Sequence, residues 1–121
     1  MLLGLRTAVY PVTDIRAGRD WYTLLVGHPP YFDQPFYVGF EVGGFELGLV
    51  PDGEPGTTGA QPLWGVADAA AAWDRAIALG GSPLEPVQDV GEGIRVCAVR
   101  DPFGNRLGFI ESPHFDAGKV R

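Results

Sequence analysis

Asp101-Pro102-Phe103-Gly104-Asn105, followed by Arg106-Leu107-Gly108-Phe109-Ile110, is the stretch from which the fold is most readily derived. Pro102 and Gly104 stand between two runs of strand formers, Ile94 to Val99 before and Leu107 to Ile110 after. Proline pre-sets one turn position and glycine or asparagine tolerates positive φ, so the segment predicts a tight β-hairpin loop. The 121 residues around it correspond to one domain by length, and 45% hydrophobic with 12% aromatic content supplies a core. Eighteen glycines and 11 prolines suit many short strands joined by turns.

From the N-terminus, Leu5 to Val12 alternates like a strand. Asp14 then caps a helix whose apolar face carries Ile15, Trp21, Tyr22, Leu24 and Leu25, and Gly27 ends it ahead of Pro29-Pro30. A short strand follows around Tyr31-Phe32, and Gly43-Gly44 joins Phe36–Val42 to Phe45–Val50 as a two-residue hairpin. After a Gly- and Pro-rich linker the order recurs. Gln61 to Val66 reads as a strand, and Asp68 caps a helix running through Trp73, Ile77 and Leu79 to Gly80-Gly81. Strands near Leu84–Val87 and at Ile94–Val99 and Arg106–Glu111 complete the second half. An offset of 54 carries Val12 to Val66, Asp14 to Asp68 and Gly27 to Gly81, and an offset of 60 carries Leu47-Gly48 to Leu107-Gly108. This is the mark of an internal repeat.

Two β-α-β-β-β units closed by a D-P-x-G-N loop and a short apolar strand resemble the vicinal oxygen chelate superfamily, the group of glyoxalase I, bleomycin-resistance proteins and extradiol dioxygenases. The resemblance covers the chain up to Pro113. It implies an α+β fold in which two tandem βαβββ modules form a curved, mixed-sheet trough with the helices on its outer face. The whole is a single domain: module one over about 4–50, a linker over 51–60, module two over about 61–112 and a tail over 113–121. In metal-dependent members, the resemblance implies, His and Glu ligands stand on the trough face of the first and last strand of each module. Carried through the repeat, those positions are Thr7, Gly48, Gln61 and Gly108. Glycine has no donor, threonine is a poor ligand and glutamine an occasional one, whereas a catalytic divalent metal takes two or three His or carboxylate donors. His28 falls in a loop and His114 in the tail. No metal and no other cofactor is expected.

Strand parity places Val38, Phe40, Val42, Phe45, Leu47 and Leu49 beneath the helix and turns Tyr37, Gly39, Glu41, Glu46, Gly48 and Val50 to the other face. Glu41 and Glu46 become direct cross-strand neighbours, a like-charge pair in which one carboxyl is expected to titrate high. Such a pair either binds a cation, acts as acid and base, or is simply solvated or paired with an arginine. Glycines 39, 48, 65 and 108 either open the floor to a flat ligand or admit close packing. Trp64, Tyr10 and Val66 fall on the helix-facing parity, Cys97 faces Phe109 as a buried thiol, and Arg95 pairs with Glu111.

The net charge of −6, with 9 basic against 15 acidic residues and Lys119 as the one lysine, excludes a nucleic-acid partner. No apolar run reaches a membrane span and no signal-peptide pattern opens the chain. The single cysteine fits a reducing compartment, so a cytoplasmic location is expected. Bleomycin-resistance proteins bind drugs in sites formed where two chains meet. The first expectation is therefore a homodimeric protein that binds a small organic molecule, cationic by the carboxylates, through Thr7, Tyr37, Glu41, Glu46, Gln61 and Arg106. Arg106 leaves an anionic ligand group open. The alternative is an enzyme of the same superfamily, a glyoxalase-like lyase, isomerase or dioxygenase. It would use unorthodox metal ligands such as Gln61 and Glu46, or acid/base chemistry by Glu41 and Glu46. A third reading is an interaction module whose trough is filled by side chains.

Overall fold

The computed structural model describes Leu3 and residues 5–113, so His114 and the tail lie outside the described residues. The chain divides into two compact units between Thr57 and Thr58, and the loop Pro102–Asn105 groups with the first. The first unit contains β1 (Thr7–Pro11), α1 (Ile15–Val26), β2 (Phe32–Gln34), β3 (Tyr37–Val42) and β4 (Phe45–Val50). The second contains β5 (Leu63–Gly65), α2 (Ala69–Ala78), β6 (Ser82–Gly91), β7 (Ile94–Arg100) and β8 (Arg106–Glu111). Each is an α+β module of the βαβββ plan, with one mixed four-stranded sheet. The orders are β1-β4-β3-β2 and β5-β8-β7-β6, in which the first-named pair is parallel and the rest antiparallel.

In the first unit Asp14 caps α1, its Oδ1 accepting from the backbone N–H groups of Arg16 at 3.0 Å and Ala17 at 3.1 Å. This satisfies donors that the first helical turn otherwise leaves unpaired. Gly18, Trp21 and Tyr22 form the buried stripe of the helix. Gly18 permits close approach, since a methyl group there would meet Val12 Cγ2 at 3.0 Å. Trp21 and Tyr10 both meet the Tyr22 ring edge-on, and Val38, Phe40, Leu47 and Leu49 complete the core from the sheet. Asn105, buried, donates from Nδ2 to the Pro11 carbonyl at 2.5 Å and accepts from the Gly56 N–H at 3.1 Å. In the loop that opened the sequence reading, Gly104 takes the positive φ and Asn105 acts through its amide.

In the second unit the repeat holds at the start of the helix and fails at its end. Asp68 caps α2, accepting from the Ala71 N–H at 3.1 Å, but α2 stops at Ala78, where the offset of 54 would continue to Gly80. Gly80, not Gly81, has the left-handed φ that Gly27 has in α1. Gly81 instead lets the backbone turn tightly, because a methyl group there would lie 2.9 Å from the Ala76 carbonyl oxygen. The buried helix positions are Ala69 and Ala76, while Trp64, Val66, Trp73 and Ile77 are only partly buried. Ala98, Val99, Leu107 and Phe109 form the core with them. The strand expected near Leu84–Val87 runs from Ser82 to Gly91, its register with β7 shifting around Glu85. Prolines are tolerated there because β6 is an edge strand. Cys97 faces Phe109 and Arg95 faces Glu111, whose Oε1 accepts from the Ala69 N–H at 2.8 Å. No helix among the described residues is long and apolar enough to cross a membrane.

Asp14→Ala removes two cap bonds and should lower the unfolding free energy by about 1 kcal/mol with an unchanged denaturant slope, measured by urea titration.

Candidate functional site

The site grows from the β3–β4 hairpin of the first unit. Gly43 and Gly44, at φ +58° and +89°, form a two-residue turn that side chains other than glycine and asparagine resist. The turn sets the register, with Val42 opposite Phe45, Phe40 opposite Leu47 and Val38 opposite Leu49. Glu41 therefore stands opposite Glu46 and Gly39 opposite Gly48 on the face away from the core. β1 runs alongside β4 with Thr7 beside Glu46, and the backbone N–H of Glu46 bonds the Arg6 carbonyl at 2.8 Å.

Glu46 is the centre of a hydroxyl cluster. Its Oε1 accepts from the Thr7 hydroxyl at 3.1 Å and from the Tyr37 phenol at 2.5 Å, and its Oε2 accepts from the phenol of Tyr31. The Tyr37 ring lies across Gly48 and the carboxylate across Gly39. A methyl group at Gly39 would be 2.7 Å from Glu46 Oε2, and one at Gly48 would collide with the Tyr37 hydroxyl. These two glycines are sites of close packing by the chain's own side chains. At Gly108 Leu63 and the Pro62 carbonyl fill the space, whereas at Gly65 the space is open.

The electrostatics follow from the hydroxyls. Burial acts to raise the Glu46 pKa, but the bonds from Tyr31, Tyr37 and Thr7 favour the ionised form and hold it below the ordinary carboxylate value. Burial and then the Glu46 bond push the Tyr37 phenol well above its ordinary value, and the Glu46 bond raises that of Tyr31. The expected high-titrating carboxyl is thus not Glu46. The two carboxyl groups turn apart, because Glu41 turns to the hairpin end and accepts from the Gly44 N–H at 2.9 Å.

An open depression of about 460 Å³ is lined by Arg6, Thr7, Tyr31, Glu41, Gly44, Phe45 and Glu46. The fold thus brings Thr7, Tyr37, Glu41 and Glu46 together within one unit. Gln61 and Arg106 belong to the second. Gln61 is exposed and precedes β5, so it is not a strand residue as expected. Arg106 opens β8 with its guanidinium largely buried, donating to Glu85 Oε1 at 2.7 Å. Its charge is met inside the unit. Nothing in the sequence marked Tyr31 or Arg6 for the site, and of the pair expected beneath the helix at the hairpin tip, Val42 is only partly buried and Phe45 is exposed. Tyr31 is placed by the turn after Pro29-Pro30 and by its N–H bond to the Gly39 carbonyl at 3.0 Å. The pairing of β2 carried no sequence signal that locates its phenol.

Among the described residues no three or more His, Cys, Asp or Glu side chains are placed to hold a metal ion. Thr7 directs its hydroxyl proton to Glu46, Gly48 and Gly108 have no donor atoms, and His28 sits in its loop with Nδ1 3.2 Å from the Pro29 carbonyl. This donor set does not fit a divalent metal.

A family model described as the Glyoxalase/Bleomycin resistance protein/Dioxygenase superfamily matches residues 4–109. No curated protein sequence matches the chain significantly. Among solved structures it resembles a glyoxalase-related enzyme from Fulvimarina pelagi, 21% identical over 93% of this chain and 90% of that one, with a TM-score of 0.73. A glyoxalase/bleomycin resistance protein from Catenulispora acidiphila is 24% identical over 91% of this chain and 100% of that one, with a TM-score of 0.67. A lactoylglutathione lyase from Agrobacterium tumefaciens is 17% identical over 94% and 98%, with a TM-score of 0.72. At these identities the likeness is one of fold.

Glu46 gives a direct pH test. A carboxyl depressed in the folded state stabilises the fold above its unfolded pKa, about 4.3, and that contribution is lost as pH falls through the folded value. The stability difference between wild type and Glu46→Gln should be flat from about pH 6 to 8 and shrink below about pH 5, read by urea unfolding across pH. Tyr37→Phe should cost about 1.5–3 kcal/mol at pH 7, the loss of a hydrogen bond to a charged group.

Proposed function

We propose, from the premise that the chain belongs to the Glyoxalase/Bleomycin resistance protein/Dioxygenase superfamily, that it binds a small organic cation without a metal, in the depression around Glu46. The observation that carries this reading is the Glu46 carboxylate itself, kept ionised by three neutral hydroxyls and without an ion-pair partner among the described residues. A fixed negative charge beside an exposed ring, that of Tyr31, suits a cation with apolar bulk.

Binding is favoured over proton transfer by the direction of the Glu46 shift. A carboxylate stabilised by three donors is a weaker base than a free one, whereas a general base works best with its pKa raised toward neutrality. Metal independence is supported by the donor set: glycine at two of the family-related positions, and a threonine hydroxyl already directed to Glu46 at a third.

The same reading takes the working form to be a homodimer in a reducing compartment. Its support is the exposure of Leu5 and Val9 beside Thr7, and a buried Cys97 whose thiol is pushed up by burial. Equilibrium sedimentation at micromolar concentration should return twice the chain mass, and a monomer mass would reject the dimer.

Melting curves test the main reading. Manganese, iron, nickel, zinc or a chelator should leave the melting temperature of tag-free protein unchanged. Aromatic cations should raise it, by the equivalent of about 2.7 kcal/mol at a hundredfold excess over Kd, and Glu46→Gln should abolish the rise. A stoichiometric metal whose removal lowers the melting temperature would replace this reading with a metal-dependent one.

A further inference from the structure

Resting on the reading of the depression as a ligand site, we propose that its ligand is a cation lacking N–H donors, a quaternary ammonium or an N-alkylated aromatic ring, rather than a primary amine or a guanidinium. An ionised carboxylate offers about four lone-pair sites. At Glu46, Oε1 has both of its sites engaged, by Thr7 at 3.1 Å and Tyr37 at 2.5 Å. Oε2 accepts from Tyr31, and it also lies so close to Gly39 that a methyl group there would stand 2.7 Å away. The negative charge is intact while the capacity to accept further hydrogen bonds is almost used up.

That combination discriminates between cations. Hydroxyl groups donate hydrogen bonds but bring no positive charge, so the field of Glu46 still reaches the depression. Glu41 adds a second carboxylate, one oxygen of which already accepts from the Gly44 N–H. Arg6, on the same lining, points its guanidinium to the Leu3 and Leu5 carbonyls at 3.4 Å each, leaving the lining with one net negative charge from two glutamates and one arginine. A primary ammonium has three donors and a guanidinium five, and each must find an acceptor when water is displaced. At Glu46 itself only one obstructed site on Oε2 is left, so an N–H donor seated against that carboxylate competes with the hydroxyls already bonded there. A quaternary ammonium has no donor to satisfy, is attracted by the net charge, and packs its alkyl groups on ring faces. Tyr31, 65% exposed, presents such a ring at the depression.

Two probes with one ring and equal charge separate the possibilities: benzyltrimethylammonium and benzylammonium, titrated calorimetrically into the whole protein at pH 7. The quaternary probe should bind about tenfold more tightly, a difference of about 1.4 kcal/mol. Glu46→Gln should weaken it about tenfold. Tyr31→Phe, at an exposed position, frees a site on Oε2 and should narrow the preference to about threefold by strengthening benzylammonium. Equal or tighter binding of benzylammonium, still dependent on Glu46, would overturn the donor-free class and leave the site standing. Failure of both probes to bind at millimolar concentration would overturn the site and the ligand class together. A Glu46→Gln variant that does not fold leaves the wild-type ratio and Tyr31→Phe as the deciding measurements.

Discussion

The register of one hairpin governs the first unit. Two glycines at positive φ close a two-residue turn, and the turn dictates which residues of β3 and β4 stand opposite one another. Because side chains alternate, a slip by one residue would turn Val38, Phe40, Leu47 and Leu49 out of the core and drive Glu41, Glu46 and Tyr37 beneath α1. Core and site are therefore two faces of one constraint. The burial of Phe40 and Leu49 against the helix and the assembly of hydroxyls around Glu46 follow from the same pairing.

Opposed carboxylates are normally a liability in a sheet. Here geometry relieves the liability. Glu41 bends to the N–H of Gly44, while Glu46 lies over Gly39 and gathers three hydroxyls. The glycines at 39 and 48 are what make this possible, since any larger residue would occupy the space of the carboxylate or of the Tyr37 phenol. The outcome is a Glu46 carboxyl held in its ionised form by its hydroxyl donors.

The two units share a backbone plan and diverge in chemistry. The offset of 60 that carries Gly48 to Gly108 also carries Glu46 to Arg106, and the 54 offset carries Thr7 to Gln61. In the first unit the equivalent positions build a hydroxyl-rimmed anion. In the second, Arg106 is largely buried against Glu85 and Gln61 stands exposed outside the strand. Large aromatic residues pack α1, while alanines form the buried stripe of α2.

The element order, both Asp caps, the hairpin register, the Glu41–Glu46 and Cys97–Phe109 pairings and the mixed α+β plan were all legible in the chain. Each depends on local rules: side-chain alternation, turn chemistry and capping act over a few residues and leave a pattern in sequence. The extent of β6, the early end of α2, the exposure of Gln61 and the identity of the Glu46 donors were not. Those depend on which strand lies at a sheet edge, how closely a helix approaches its sheet, and where a phenol just ahead of a separate strand comes to rest. Tyr31 is the sharpest instance. Its sequence position says only that it precedes a strand, and only the pairing of that strand beside Gly39 carries its hydroxyl to Glu46. Local periodicity determined the scaffold, and tertiary packing decided which charge the site retains, because a carboxylate's ionisation depends on donors that arrive from distant parts of the chain.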